Sequence, residues 1–174
     1  MVSENLEDKA EKTLRETDSY RVPVAIDIVA QRLNLTLTAG PLGEKVSGML
    51  VVKEDRGAIG YNSAHARVRQ RFTIAHEVAH FLLHARRDAK EQLFIDLKVI
   101  SRRDDNLSTM NERKEVEANK LGAALLIPKG AVQQEIRYRE LDLDDEEAIA
   151  ILAKRFQVST VTMAHRLMNL KIFY

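Results

Sequence analysis

The sequence contains no cysteine and no tryptophan, and only three prolines in 174 residues. A chain without cysteine forms neither disulfides nor thiolate metal sites, which fits a reducing compartment, and we expect a cytoplasmic location. The 27 lysines and arginines nearly balance the 26 aspartates and glutamates, so no charge excess favours binding to a polyanion. Apolar runs stay short of the roughly 20 residues that cross a membrane, and the acidic first residues do not resemble a secretory signal. We therefore expect one small domain that has no contact with a membrane.

The most informative motif is His76-Glu77-Val78-Ala79-His80, the pattern H-E-x-x-H, inside a run with helical character. Positions four apart share one face of a helix, so the imidazoles of His76 and His80 can bind one metal ion. Glu77 would then lie beside the ion, where its carboxylate can act on a bound water. This spacing predicts the zinc centre of a peptidase.

The residues around the motif distinguish it from a chance match. H-E-x-x-H also occurs in helices with a solvated acid and two ordinary histidines. Here the helix is apolar almost all round, which predicts burial, and buried imidazoles and carboxylates need partners such as a metal ion. The apolar positions are Phe72, Ile74, Ala75, Val78, Ala79, Phe81, Leu82 and Leu83.

A catalytic zinc needs a third protein ligand and one open position. Since cysteine is absent, a carboxylate is the simplest choice, and residues 112–128 predict a second helix that Pro128 ends. On that helix Glu115 could bind the ion, while Asn119, four residues later, could hydrogen-bond the outer atom of another ligand. Taken alone, however, the acids at 112, 115 and 117 fit a solvated helix start better, because acids there are stabilised by the helix dipole.

Two stretches together resemble the ImmA/IrrE family of metallopeptidases. The first is RFTIAHEVAHFLLH at 71–84, and the second combines EVEAN at 115–119 with AALLIP at 123–128. The resemblance extends from about Val22 to the C-terminus. Val78-Ala79 and Lys120-Leu121-Gly122 depart from the residues common in the family, which leaves open how the two helices pack.

The resemblance implies a ligand set, a fold and a substrate. The metal, Zn²⁺ or alternatively Mn²⁺, would be held by His76, His80 and Glu115, with Glu77 as the general base. The fold would be α+β and zincin-like, a minimal metallopeptidase with a small antiparallel sheet packed on the active-site helix. We expect this core over residues 1–140 and a C-terminal helix-turn-helix-like subdomain over 141–174. The implied substrate is a helix-turn-helix repressor, whose cleavage would release genes of mobile elements or of a stress response.

Hydrophobic periodicity and breaker residues predict the other elements. Helices are expected over 3–17, 24–33 and 67–87, the last capped by Asn62-Ser63, and strands over 35–38, 47–52, 58–61 and 93–100. The strand before the metal helix, at 57–62, is interpreted as a sheet strand that packs on this helix, and alternatively or in addition as a strand that lines the cleft and pairs with an extended substrate. The polar stretch 86–111, with a loop at 102–106, is either a substrate-selecting rim or a surface loop without a specific role.

Two further helices, 146–156 and 160–169, form a helix-turn-helix pattern in which Ser159 is a credible N-cap. The second helix offers only His165 and Arg166 as cations, which disfavours DNA binding. The alternative function is a non-catalytic regulator that uses its metal for folding and binds DNA or a repressor through these helices. His84 continues the histidine stripe, and we interpret it as buried and hydrogen-bonded rather than as an oxyanion donor.

Overall fold

The computed structural model describes residues 5–53, 56–85, 92–97, 108–143 and 145–172, which form helices and one sheet. The predicted α+β class is confirmed. In chain order the elements are α1 Leu6–Glu16, α2 Ile26–Arg32, β1 Leu35–Gly40, β2 Val46–Lys53, β3 Arg56–Asn62, α3 Arg67–His84, β4 Gln92–Leu97, α4 Ser108–Leu126, α5 Lys129–Arg139, α6 Glu146–Phe156 and α7 Thr160–Asn169.

The sheet has the strand order β1-β3-β2-β4. The predicted hairpin is present: β2 and β3 pair antiparallel, with Leu50 opposite Ile59, and both side chains are fully buried. β4 also pairs antiparallel with β2, whereas β1 runs parallel to β3. The sheet is therefore mixed and not purely antiparallel, because β1 and β3 run in the same direction.

The strand order corrects the prediction that residues 57–62 pair with substrate. These residues belong to β3, which already pairs with β1 on one side and β2 on the other. Its backbone groups are used within the sheet, so a substrate cannot add to it. Among the described strands, β1 and β4 each have a partner on one side only, and the predicted strand at 93–100 is the edge strand β4 as far as Leu97.

Helix α3 lies between the sheet and α4, with contacts to β2, β3 and β4 on one side and to α4 on the other. Its residues from Thr73 to His80 are all buried. The contact with α4 is close at Gly122, where a Cβ atom would lie 3.2 Å from the backbone nitrogen of His76. Gly122 is one of the residues that depart from the family pattern, and its lack of a side chain lets α3 and α4 pack closely here.

The start of α3 differs from the prediction. Ala66 is the N-cap residue and makes no side-chain capping bond. Asn62 instead holds the loop before the helix: its Nδ2 donates to the carbonyl oxygens of Gly43 and Val46, and its Oδ1 accepts from the Ala64 N–H. The predicted cap at Asn62-Ser63 is wrong, because the N-cap position is Ala66, four residues after Asn62, and the Asn62 amide bonds the preceding loop instead.

Other boundaries move by a few residues. The helix expected from 24 begins at Ile26, and α5 was not predicted at all. Helix α5 buries only Ala131 and Val132 and exposes Tyr138, so its sequence has little amphipathic signal. The loop predicted at 102–106, most of the rim predicted at 86–111, and residues 86–87 of the predicted metal helix lie outside the described residues.

The C-terminal helices α6 and α7 are confirmed, and Ser159 caps α7 by accepting a hydrogen bond from the Thr162 N–H at 3.1 Å. Gln157, in the turn between them, has a φ of +55°, the left-handed conformation that glycine usually supplies. Its carbonyl oxygen accepts from Arg71 of α3 at 3.1 Å, which fixes the turn against the active-site helix. The predicted domain boundary after residue 140 stays a prediction.

One buried ion pair joins the two ends of the chain. Arg166 of α7 donates from Nη1 and Nη2 to the two carboxylate oxygens of Glu7 in α1, at 2.6 and 2.7 Å. Its Nε donates to the carbonyl oxygen of Ile127 at the end of α4. This guanidinium thus links α1, α4 and α7, and we refer to the three residues as the Arg166 clamp. Within the described residues, no helix is both long and apolar enough to cross a membrane.

Candidate metal centre

Three side chains from two helices converge at the middle of α3. His76 and His80 lie one turn apart on α3, and both are 3% exposed. Glu115 reaches them from α4, and its side chain is 44% exposed, so the group opens to solvent on the Glu115 side. The imidazoles are held rigidly because α3 is buried here, whereas the carboxylate faces the outside.

The distances among the three groups fit a metal ion. Glu115 Oε2 lies 3.1 Å from His76 Nε2, Glu115 Oε1 lies 3.1 Å from His80 Nε2, and the two Nε2 atoms are 3.0 Å apart. Atoms bonded at about 2.0–2.1 Å to one tetrahedral zinc lie about 3.3–3.4 Å from one another. Only a small expansion of the three distances separates the observed geometry from that of a zinc site. Among the described residues, these three form the group that could hold a metal ion.

Asn119 orients the first of these histidines. Its Oδ1 lies 3.1 Å from His76 Nδ1, so this nitrogen can carry the hydrogen and donate it to the amide oxygen. The Nε2 atom then keeps its lone pair and directs it toward His80 and Glu115. This is the arrangement by which metal-binding histidines are commonly held in one tautomer, and it is the role expected of Asn119 from its spacing after Glu115.

Glu115 is ionised at any pH near neutrality. Burial works to raise the pKa of its carboxyl, but the hydrogen bonds and positive charge of His76 and His80 outweigh burial and lower that pKa to about 2. One carboxylate oxygen and two imidazole nitrogens together form a donor set that suits Zn²⁺.

Glu77 is fully buried and lies one residue along α3 from His76, outside the group of three. It packs beneath β2 at Gly48, where a Cβ atom would come within 3.0 Å of Glu77 Oε1 and 2.4 Å of Thr73 Cγ2. A side chain at position 48 would therefore displace the Glu77 carboxylate. An isolated glycine inside a strand is the sequence signal for such a close approach, and the sequence reasoning did not use it.

His80 is positioned by the sheet. Its ring stacks on Phe94 of the edge strand β4, with ring centroids 5.3 Å apart and planes inclined by 28°. Its Nδ1 is buried and has no hydrogen-bond partner among the described residues. Phe94 is a second contributor that sequence reasoning missed, because only the three-dimensional pairing of β2 with β4 brings it to α3.

His84 lies one turn further along α3, with its ring centroid 5.4 Å from that of His80. Its Nε2 donates to the carbonyl oxygen of Lys114 at 3.2 Å, next to Glu115 in α4. Burial lowers the pKa of the His84 ring, although the hydrogen bond to the Lys114 carbonyl works to raise it. The His84 side chain is 8% exposed and hydrogen-bonded, which agrees with the interpretation from the sequence.

Comparison with known proteins agrees with this geometry. Residues 30–168 match the IrrE N-terminal-like domain, a peptidase family, and this span includes α3, β4 and α4. A search of curated proteins finds no match. Because the matched span covers most of the 174 residues and includes all three metal-centre side chains, the chain belongs to the family of peptidases with an IrrE N-terminal-like domain.

Proposed function

We propose that this protein is a zinc-dependent endopeptidase that cuts a helix-turn-helix transcriptional repressor. The observation that supports a metallopeptidase most directly is the triangle of His76, His80 and Glu115, with ligand atoms 3.0–3.1 Å apart beside a buried Glu77. A family of peptidases supplies the reaction class. Manganese is the alternative metal, and the cytoplasmic location stays a prediction.

Each residue has a distinct role in the proposed reaction. His76, His80 and Glu115 would hold the ion, and Asn119 would keep His76 in the tautomer that binds it. Zinc, when bound, lowers the pKa of a water at its open position toward about 7 and polarises the substrate carbonyl. Glu77 would accept a proton from that water while the water oxygen attacks the peptide carbonyl. Glu77 would then deliver the proton to the leaving nitrogen. Exposure on the Glu115 side leaves room for the substrate.

We propose that the substrate pairs with β4. This strand forms one edge of the sheet, and Phe94 joins it directly to His80 through ring stacking. An extended peptide that adds to β4 by backbone hydrogen bonds would pass the metal centre. Leu93 and Ile95 alternate with Phe94 and are 60% and 46% exposed, so their side chains lie on the opposite face of the strand.

The alternative, a non-catalytic regulator that binds DNA through α6 and α7, is less well supported. Arg166 is the only arginine of α7, and its guanidinium is 4% exposed and paired with Glu7. A guanidinium used in this way cannot contact a phosphate. His165 then remains as the only histidine or arginine of α7 on the surface, which is too little charge for phosphate binding.

The test uses wild type, Glu77→Gln and Glu115→Ala, each reconstituted with zinc and analysed for metal by mass spectrometry. Cleavage is followed by intact mass, with purified helix-turn-helix repressors from the same genome as the probes. We expect one cut by wild type, retained zinc with a rate about 10²–10⁴-fold lower for Glu77→Gln, and loss of both zinc and cleavage for Glu115→Ala.

Three results would contradict the proposal. A wild type that binds no metal after reconstitution excludes the metallopeptidase. A Glu77→Gln variant that cuts at the wild-type rate excludes the role of Glu77. A zinc-loaded wild type that leaves every helix-turn-helix repressor intact while cutting an unrelated protein such as casein excludes a repressor as substrate.

A further inference from the structure

A cavity of about 580 Å³ lies directly beside the proposed metal centre. The side of α4, the first turn of α1 and the exposed face of α7 form its walls. Asn119 belongs to this wall and also bonds His76 at 3.1 Å, so the cavity and the metal centre share one side chain. A substrate segment bound at the metal centre therefore has the cavity within a few residues of it.

The charges that face the cavity leave a positive excess. Four titratable side chains line it: Glu7, Lys120, His165 and Arg166. Glu7 and Arg166 neutralise each other through the two hydrogen bonds of the Arg166 clamp. Lys120 is exposed and forms no ion pair with another described residue, and His165 on α7 adds a second nitrogen donor. The cavity thus has a surplus cation and suits a carboxylate.

The same cavity has an apolar wall. Phe72 of α3, Ala123 of α4 and Val161 of α7 contribute to the lining, and Val161 is 63% exposed. An apolar ligand group that covers Val161 would remove apolar surface from water. A ligand that contacts both the surplus cation and the apolar wall would carry an acidic group beside an apolar one.

We propose that this cavity is a recognition subsite for the segment of the protein substrate next to the scissile bond, and that it takes an acidic side chain adjacent to an apolar one. The inference rests on the proposed function, since the segment is held there by the same substrate that crosses the metal centre. Lys120 pairs with the acidic side chain, and Val161 and Phe72 contact the apolar one. Lys120 is thus a specificity-determining residue.

The test measures binding with zinc-loaded Glu77→Gln protein, so that the probes stay intact. The probes are two fluorescein-labelled pools of 12-residue peptides, random except for a central Glu-Leu in one pool and Lys-Leu in the other. We expect the Glu-Leu pool to bind about fivefold more tightly, the scale of one ion pair. Adding Lys120→Met should remove the preference and adding Lys120→Glu should reverse it, with unchanged zinc content. Lys154→Glu, the same charge change on α6 outside the cavity, is the matched control and should keep the preference.

Two results would overturn the inference: equal binding of both pools, or a Lys154→Glu variant that shifts the preference as far as Lys120→Glu does. Cleavage by wild type, measured in parallel, separates this inference from the proposed function. Cleavage without a binding preference means that the subsite is wrong and the peptidase right. A preference at Lys120 in a protein that cuts nothing means that the cavity binds acidic peptides but the proposed reaction is wrong.

Discussion

Gly122 of α4 lies against the backbone of His76, close enough that a Cβ atom on the glycine would come within 3.2 Å of the histidine nitrogen. The atoms it would meet, including the Ala75 carbonyl carbon at 3.2 Å, belong to the backbone of α3 and cannot rotate away. The distance between the two helices at the metal centre is therefore set by the absence of a side chain at position 122.

Replacing Gly122 with alanine should destabilise the protein even though alanine is the better helix former. Helix propensity alone favours Gly122→Ala by about 1 kcal/mol. Forcing α3 and α4 apart should instead cost about 1–3 kcal/mol, the usual range for overpacking, and should weaken zinc binding because Glu115 moves away from the histidines. Urea unfolding and zinc competition with a chelator measure the two effects.

The control is Gly130→Ala, at the start of α5. There the nearest atom to a new Cβ is the Tyr20 hydroxyl at 2.9 Å, the far end of a side chain that can shift. This variant should retain its zinc affinity. A Gly122→Ala protein more stable than wild type would show that α3 and α4 can accommodate a methyl group at this position.

Asn119→Ala should lower zinc affinity by about 10–100-fold, because His76 Nδ1 loses the acceptor that fixes its tautomer. Asn119→Asp keeps an oxygen at that position and should lose less. Asn169→Ala removes an equivalent amide from α7, away from His76, and should bind zinc as wild type does. Equal affinities for Asn119→Ala and wild type would mean that the bond to Asn119 does not orient His76.

His84 should affect metal binding indirectly, through α4, the helix that carries Glu115. Its bond to the Lys114 carbonyl oxygen holds the turn that carries Glu115, so His84→Ala should weaken zinc binding, by about tenfold at most. His84→Gln can still donate to that carbonyl and should recover part of the loss, whereas His165→Ala on the surface should have no effect. If glutamine is no better than alanine, His84 acts by filling space.

Acid should weaken the contact between α5 and α6. Burial works to raise the pKa of Glu135, but hydrogen bonds from Arg139 and Arg155 outweigh it and lower that pKa. A lowered carboxyl pKa means that the folded state binds its proton less readily, so the stabilisation is complete above the unfolded pKa of about 4.3 and is lost as pH falls through the folded value.

Glu135→Gln should therefore be less stable than wild type at pH 7, by about 1 kcal/mol at most since both arginines are partly exposed, and equally stable well below pH 4. Urea unfolding of the metal-free proteins between pH 3 and pH 7 measures the difference and avoids loss of zinc in acid. Glu147→Gln, an exposed acid in the first turn of α6, is the comparison. A difference that is constant across this range would contradict the assigned cause.

The part of the centre that could be predicted from sequence is local. His76, Glu77 and His80 share one helix, so their relation follows from helical spacing alone. Glu115 is 35 positions beyond His80, and its place beside the histidines depends on how α4 packs on α3. The residues alone favoured a solvated helix start there, and resemblance to a family was needed to identify it.

The sheet shows the same limit. The hairpin of β2 and β3 follows from two apolar runs with a short polar break, but strand order depends on contacts between distant segments. β1 takes the place beside β3 and β4 the place beside β2, which moves the free edges from residues 57–62 to Leu35–Gly40 and Gln92–Leu97. Nothing in the local pattern of either strand distinguishes an interior strand from an edge strand when both are short and apolar.

The Arg166 clamp affects where this chain can be truncated for study. The family match starts at residue 30, so a boundary drawn from it would retain the metal centre and discard α1 with Glu7. The guanidinium of Arg166 would then lose its counter-charge, and the core would lose Ala10 and Leu14, which α1 buries. A shortened protein that precipitates would therefore report the loss of α1 rather than any fault in the catalytic residues.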